Sequence, residues 1–126
     1  MTTLAAVLAC LVLAGLAVLQ GLLAFGAPLG RFAWGGQHEV LPTRFRTGSA
    51  VSILIYALIA TVVLTRADLL SPGLPDGVAR TAIWIVVGYF FLGIGLNLAS
   101  RSKPERSVMS PLSAVLCALC AVVALS

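Results

Sequence analysis

Thr81-Ala82-Ile83-Trp84-Ile85-Val86-Val87-Gly88-Tyr89-Phe90-Phe91-Leu92-Gly93-Ile94-Gly95-Leu96-Asn97-Leu98-Ala99 runs for 19 residues without an Asp, Glu, Lys, Arg or His. A helix crossing a bilayer needs about 20 mostly apolar residues, each advancing it about 1.5 Å through a ~30 Å hydrocarbon core. This stretch meets that requirement. Working outward from it, three more runs do the same: Thr47–Thr65 and Thr3–Pro28 on the N-terminal side, and Val108–Leu125 on the C-terminal side. The spacing predicts an all-α, antiparallel four-helix transmembrane bundle, a single integral membrane domain over 1–126.

Composition points the same way. Of 126 residues, 60% are hydrophobic and 10% charged, and the mean hydropathy is +1.10. A soluble domain carries roughly 25% charged residues. The first run has no basic segment before it and is longer than a signal-peptide core, so it reads as a retained helix.

The few charges sit between the runs. Arg31, Arg44 and Arg46 fall in the connector Leu29–Arg46, and Arg101, Lys103 and Arg106 in Ser100–Ser107. The middle connector, Arg66–Arg80, holds only its two flanking arginines, offset by Asp68 and Asp76. The positive-inside rule then places the first and third connectors in the cytoplasm of a bacterial-type plasma membrane, with both termini outside. These six cations would also attract anionic lipid headgroups, or clamp a phosphate or carboxylate. With the cations held at membrane surfaces, no nucleic-acid partner is expected.

Helices in lipid associate through faces of small residues, because acyl chains give no hydrophobic drive for it. Thr3, Ala6, Cys10, Ala14, Ala17, Gly21 and Ala24 fall on one stripe of the first helix, and Ser110, Ser113, Cys117, Cys120, Ala121 and Ala124 on one stripe of the fourth. Cys10, Ala14, Ala17, Gly21, Cys117 and Cys120 are the expected packing seam, either within the chain or between copies. A homo-oligomer or a place in a larger membrane complex follows from the second use. The cysteines show no metal-ligand spacing, and neither metal nor cofactor is expected.

Gln20, Tyr56 and Tyr89 each lie about 10–12 residues from the basic face, or ~15–18 Å into a ~30 Å core. An amide and two phenols at one depth could converge on a midplane polar pocket or hydrogen-bond one another. No residue with a formal charge lies inside any run, which argues against proton-coupled antiport by this chain alone.

The first connector is the elaborate one, mixing Phe32, Trp34 and Phe45 with Gly35-Gly36 and most of the ionisable groups. It should fold back on the membrane, since amphipathic rings settle at the headgroup level. His38 and Glu39 are candidates for anion contact with the basic residues, and a structural pairing with a nearby arginine is expected of them. Ser102-Lys103-Pro104-Glu105 reads as a capping box at the start of the fourth helix, and Ser110-Pro111 as a second start or a kink.

The leading functional expectation is a non-catalytic subunit or binding module acting through helix packing. The alternatives are a passive channel or small-solute facilitator with a polar path near Gln20, Tyr56 and Tyr89, and an enzyme acting on a lipid headgroup through His38 and Glu39.

Overall fold

A computed structural model describes Met1–Ser126. It contains four long helices and no strand: α1 (Thr2–Ala24), α2 (Thr43–Arg66), α3 (Asp76–Leu98) and α4 (Ser110–Leu125), the last preceded without a break by a π turn at Glu105–Met109. All four are long and apolar enough to cross a membrane, α4 when taken from Glu105. The protein is a small all-α membrane protein.

Three helices begin earlier than the apolar runs predict. Pro42, Pro75 and Pro104 stand at their N-termini, where a fixed φ and a missing N–H cost the helix nothing. The polar turns that follow, such as Thr43-Arg44-Phe45-Arg46, are therefore helical, and Arg44 and Arg46 belong to α2 rather than to the connector. α1 ends sooner than predicted. Its chain turns at Gly26 (φ +93°), and the Ala27 N–H reaches back to the Leu22 carbonyl at 2.9 Å, a Schellman closure. Asp68 (φ +58°) closes α2 in the same way, with the Leu69 N–H on the Leu64 carbonyl at 2.9 Å.

The helices stand in the cyclic order α1–α2–α3–α4, and the two sequential hairpins, α1–α2 and α3–α4, pack most extensively. An arginine ties each hairpin. Arg46 donates from Nε to the Ala24 carbonyl at 2.8 Å, and Arg106 donates to the Ser100 carbonyl at 2.8 Å. Arg46 thereby meets the carbonyl end of α1, where the helix dipole favours a cation, while Arg106 bonds the chain two residues past the end of α3.

The core fills only one half of the bundle. Ala5, Ala6, Ala9 and Leu13 interlock with Ile59, Val62 and Val63, with Ile83, Val86 and Phe90, and with Leu116, Cys120, Val123 and Ala124. In an antiparallel bundle these are the half remote from the first and third connectors. Outside, Leu4, Leu11, Val18, Leu54, Leu58, Ile85, Phe91 and other large apolar side chains are exposed, a surface suited to acyl chains.

The small-residue stripe of α1 faces the bundle axis only near its start, where Ala6 is fully buried and Cys10 packs against the core. Ala14 is exposed, Cys10, Ala17 and Gly21 are half-buried, and the buried line runs through Ala5, Ala6, Ala9 and Leu13. That line is turned about a quarter of the way round the helix from the stripe, at 100° per residue. Gly21 looks sideways instead, with Ile53 of α2 as its nearest neighbour. On α4, Cys120 is fully buried and Cys117 packs against the core.

Candidate functional site: a cavity beneath the first connector

The half of the bundle nearest the first and third connectors does not close. A cavity of about 340 Å³ opens there between α1, α3 and α4, with Tyr56 of α2 on its wall and Phe32, Ala33 and Trp34 of the first connector as its roof. Phe90 and Leu116 belong both to its lining and to the packed core, so they form its floor. Tyr89, Leu92 and Leu96 line it and are also exposed, which leaves it open along the flank of α3.

The roof is held by a chain of close fits. Gly30 donates its N–H to the Glu39 carbonyl at 2.8 Å, and a Cβ on Gly30 would collide with the backbone of His38. Trp34, Gly35 and Gly36 follow one another with φ of +55°, +76° and +70°. Two of them are glycines, for which this region is free. Trp34 is not, and a bulky residue there costs of order 1–3 kcal/mol. Its indole offsets the strain. Its Nε1–H donates to the Ser49 hydroxyl at 3.2 Å, and its ring stacks on Phe45 with centroids 5.0 Å apart. It also lies against Gly48, where a Cβ would stand 2.7 Å from the ring.

The roof also docks on the third connector. The Gly35 N–H donates to Glu105 Oε2 at 3.2 Å, Ser102 Oγ donates to the Arg31 carbonyl, and Gly36 leaves no room for a side chain beside Ser102. This replaces the expected capping box. Neither Ser102 nor any other side chain caps the π turn. Both members of the box are drawn to the first connector instead.

Inside the cavity the polar groups come in two sets. Gln20 Nε2 donates to Tyr56 Oη at 3.4 Å, while Gln20 Oε1 is buried with no partner. Tyr89 lines the same space, its ring edge-on to Phe90 at 5.2 Å. Nearer the mouth, Asn97 Nδ2 donates to Ser113 Oγ at 2.9 Å and to the Met109 carbonyl at 3.4 Å, joining α3 to α4. The structure thus brings Gln20, Tyr56 and Tyr89 to one cavity and adds Asn97, Ser113 and Glu105 to it.

Glu105 is the residue that sequence reasoning missed as a site group. It is 6% exposed, it lines the cavity, and it also lines a shallower hollow that contains Gln37, Ser100 and Arg101. It therefore stands between the outer face and the interior. No Lys, Arg or His lines the inner cavity, and the one ion pair in the chain is the exposed Arg80–Asp76, at 3.8 Å.

The candidate anion residues are used individually. Arg46 bonds the end of α1 and Arg106 the Ser100 carbonyl, as described above. Arg31 lies over its neighbour Phe32 at 4.9 Å, and Arg44 over Phe45 at 4.7 Å. Arg101 and Lys103 are exposed. His38 packs its ring against Phe45 at 5.8 Å, Glu39 is exposed, and neither forms an ion pair with an arginine. The expected pairing is corrected on that point: an aromatic neighbour holds His38, and Glu39 contributes its carbonyl. No group of His, Cys, Asp or Glu is placed to hold a metal.

The arrangement is an apolar, ring-lined chamber with a few fixed polar groups and one buried carboxylate beneath its roof. Such concave, mostly apolar sites with sparse polar groups bind small molecules. No protein-family model, curated protein or solved structure matches the chain.

Proposed function

We propose that this protein is a non-catalytic binding module of the membrane, which takes a small amphipathic molecule into the chamber under the first connector. The single observation behind this reading is the division of the bundle into a packed half and a hollow half. The hollow half has the size, rings and sparse polar groups of a ligand site, and the packed half offers it no continuation. Conduction across the membrane would require Ala6, Ala9, Leu13, Val63, Ile83 and Cys120 to part. A headgroup enzyme built on His38 and Glu39 would require those residues to reach a chamber whose lining does not include them.

The six basic residues around the first and third connectors support a cytoplasmic position for the chamber's roof, by the positive-inside rule. Their exposed members also favour contact with anionic headgroups. Small exposed residues such as Ala14 and Gly15 on α1 leave room for a second copy or a larger membrane complex to pack there.

The test is retention of a ligand. Native mass spectrometry of the protein released from mild detergent should show a small bound species, and Gly93→Leu, which adds a side chain to the chamber wall, should lose it. An empty wild type, or equal retention by the Gly93→Leu variant, would end this reading.

A further inference from the structure

The chamber's polar chemistry is unbalanced, and the imbalance names a ligand class. Its one charged group is the Glu105 carboxylate, which accepts a hydrogen bond from Gly35 and has no cationic nitrogen within ion-pairing distance. A buried charge is costly unless it is paired. A second acceptor, Gln20 Oε1, is buried in the same lining with no donor. Around these stand the rings of Trp34, Tyr56, Tyr89 and Phe90. Aromatic faces attract cations, most strongly when water is excluded, and a ring-lined pocket is the usual receptor for a quaternary or primary ammonium.

Resting on the binding reading above, we propose that the ligand is an amphipathic ammonium compound. Its cationic nitrogen sits between the aromatic rings and Glu105, and its apolar body lies along Leu16, Leu92 and Leu116. The basic residues do not oppose this. They lie on the outer surface or on helix ends, and none enters the inner lining. Two sources carry this chemistry, a free amphipathic amine and the headgroup of an aminophospholipid, and the open flank of α3 admits either.

The experiment is equilibrium dialysis of the full chain in a non-ionic detergent, with three probes of similar size: benzyltrimethylammonium, benzenesulfonate and benzyl alcohol. The wild type should prefer the ammonium to the sulfonate by about tenfold or more, a difference of about 1.4 kcal/mol. Glu105→Gln keeps an acceptor for the Gly35 N–H. It should abolish that preference, bringing the ammonium down toward the level of the sulfonate.

If the sulfonate binds as well as the ammonium, or if Glu105→Gln leaves the preference intact, the ammonium assignment is wrong and the binding reading survives. If none of the three probes binds and Gly93→Leu changes nothing, both fall together. The wild-type charge preference decides the matter even if the variant does not fold. Native mass spectrometry of the same sample assigns the source. A retained aminophospholipid displaced by the ammonium probe identifies the headgroup, and ammonium binding without such displacement identifies the free amine.

Discussion

Glu105 and Gly35 are 70 residues apart in the chain, and the carboxylate of one accepts the backbone N–H of the other at 3.2 Å. That contact fastens the roof of the chamber to the start of the last transmembrane segment. Glu105→Ala leaves the Gly35 N–H without its acceptor, which costs about 1–3 kcal/mol where the group is buried. The first connector should then open. Hydrogen exchange across residues 30–41 should rise strongly while the four helices keep their protection, and Glu105→Gln should restore most of it.

Trp34 and Gly48 form the second fastening. Gly48→Ala places a methyl 2.7 Å from the indole, so the ring must leave its position between Ser49 and Phe45. Overpacking of this kind costs about 1–3 kcal/mol. In a Trp84→Phe background Trp34 is the sole tryptophan. Its emission should shift to the red in the Gly48→Ala variant.

Asn97 joins α3 to α4 through Ser113 and Met109. Hydrogen bonds between helices in membranes contribute about 0.6–2 kcal/mol, so Asn97→Ala should lower stability by that order. A double-mutant cycle with Ser113→Ala, read by unfolding in mixed micelles, should give a positive coupling. Additive losses would show that the 2.9 Å contact contributes nothing.

Arg46 closes α1 from the first turns of α2. Arg46→Leu removes both the hydrogen bond to Ala24 and the charge at the helix end, a loss of about 0.5–2 kcal/mol. Fraying should be confined to the last turn of α1, seen as faster exchange at residues 22–27 with no change in α3 or α4.

The proposed orientation has its own check. In a background with the three native cysteines replaced by alanine, Gln37→Cys should react with a membrane-impermeant maleimide only after the cytoplasm is opened. Leu70→Cys should react in intact cells. The reverse pattern would put the chamber's roof on the outer face.

The fold was legible because each helix carries its signal locally: an uncharged run of bilayer length between charged connectors. The helix starts were less legible. Runs such as Thr47–Thr65 mark where hydrocarbon begins, while Pro42, Pro75 and Pro104 mark where helix begins, one or more turns earlier. Counting depth from the basic face was enough to put Gln20, Tyr56 and Tyr89 in one place.

The orientation of α1 was not legible, because an alanine-rich helix offers several small faces and only its neighbours decide which one turns inward. Glu105 was visible three residues after Ser102, a spacing that announces a local cap. Its actual partner comes from the first connector. A pairing across 70 residues leaves no periodic trace, and without it a glutamate at a helix start is indistinguishable from an ordinary first-turn acid.

The two arginine ties bear on how the chain assembles. Arg46 latches α2 onto the end of α1, and Arg106 folds the start of the last segment onto the chain just past α3, so each hairpin carries its own clasp. The chain can then enter the bilayer as two preformed units, and the chamber comes into being only when the second unit meets the first. Two fragments severed within 69–74 and synthesised together should find each other and rebuild it.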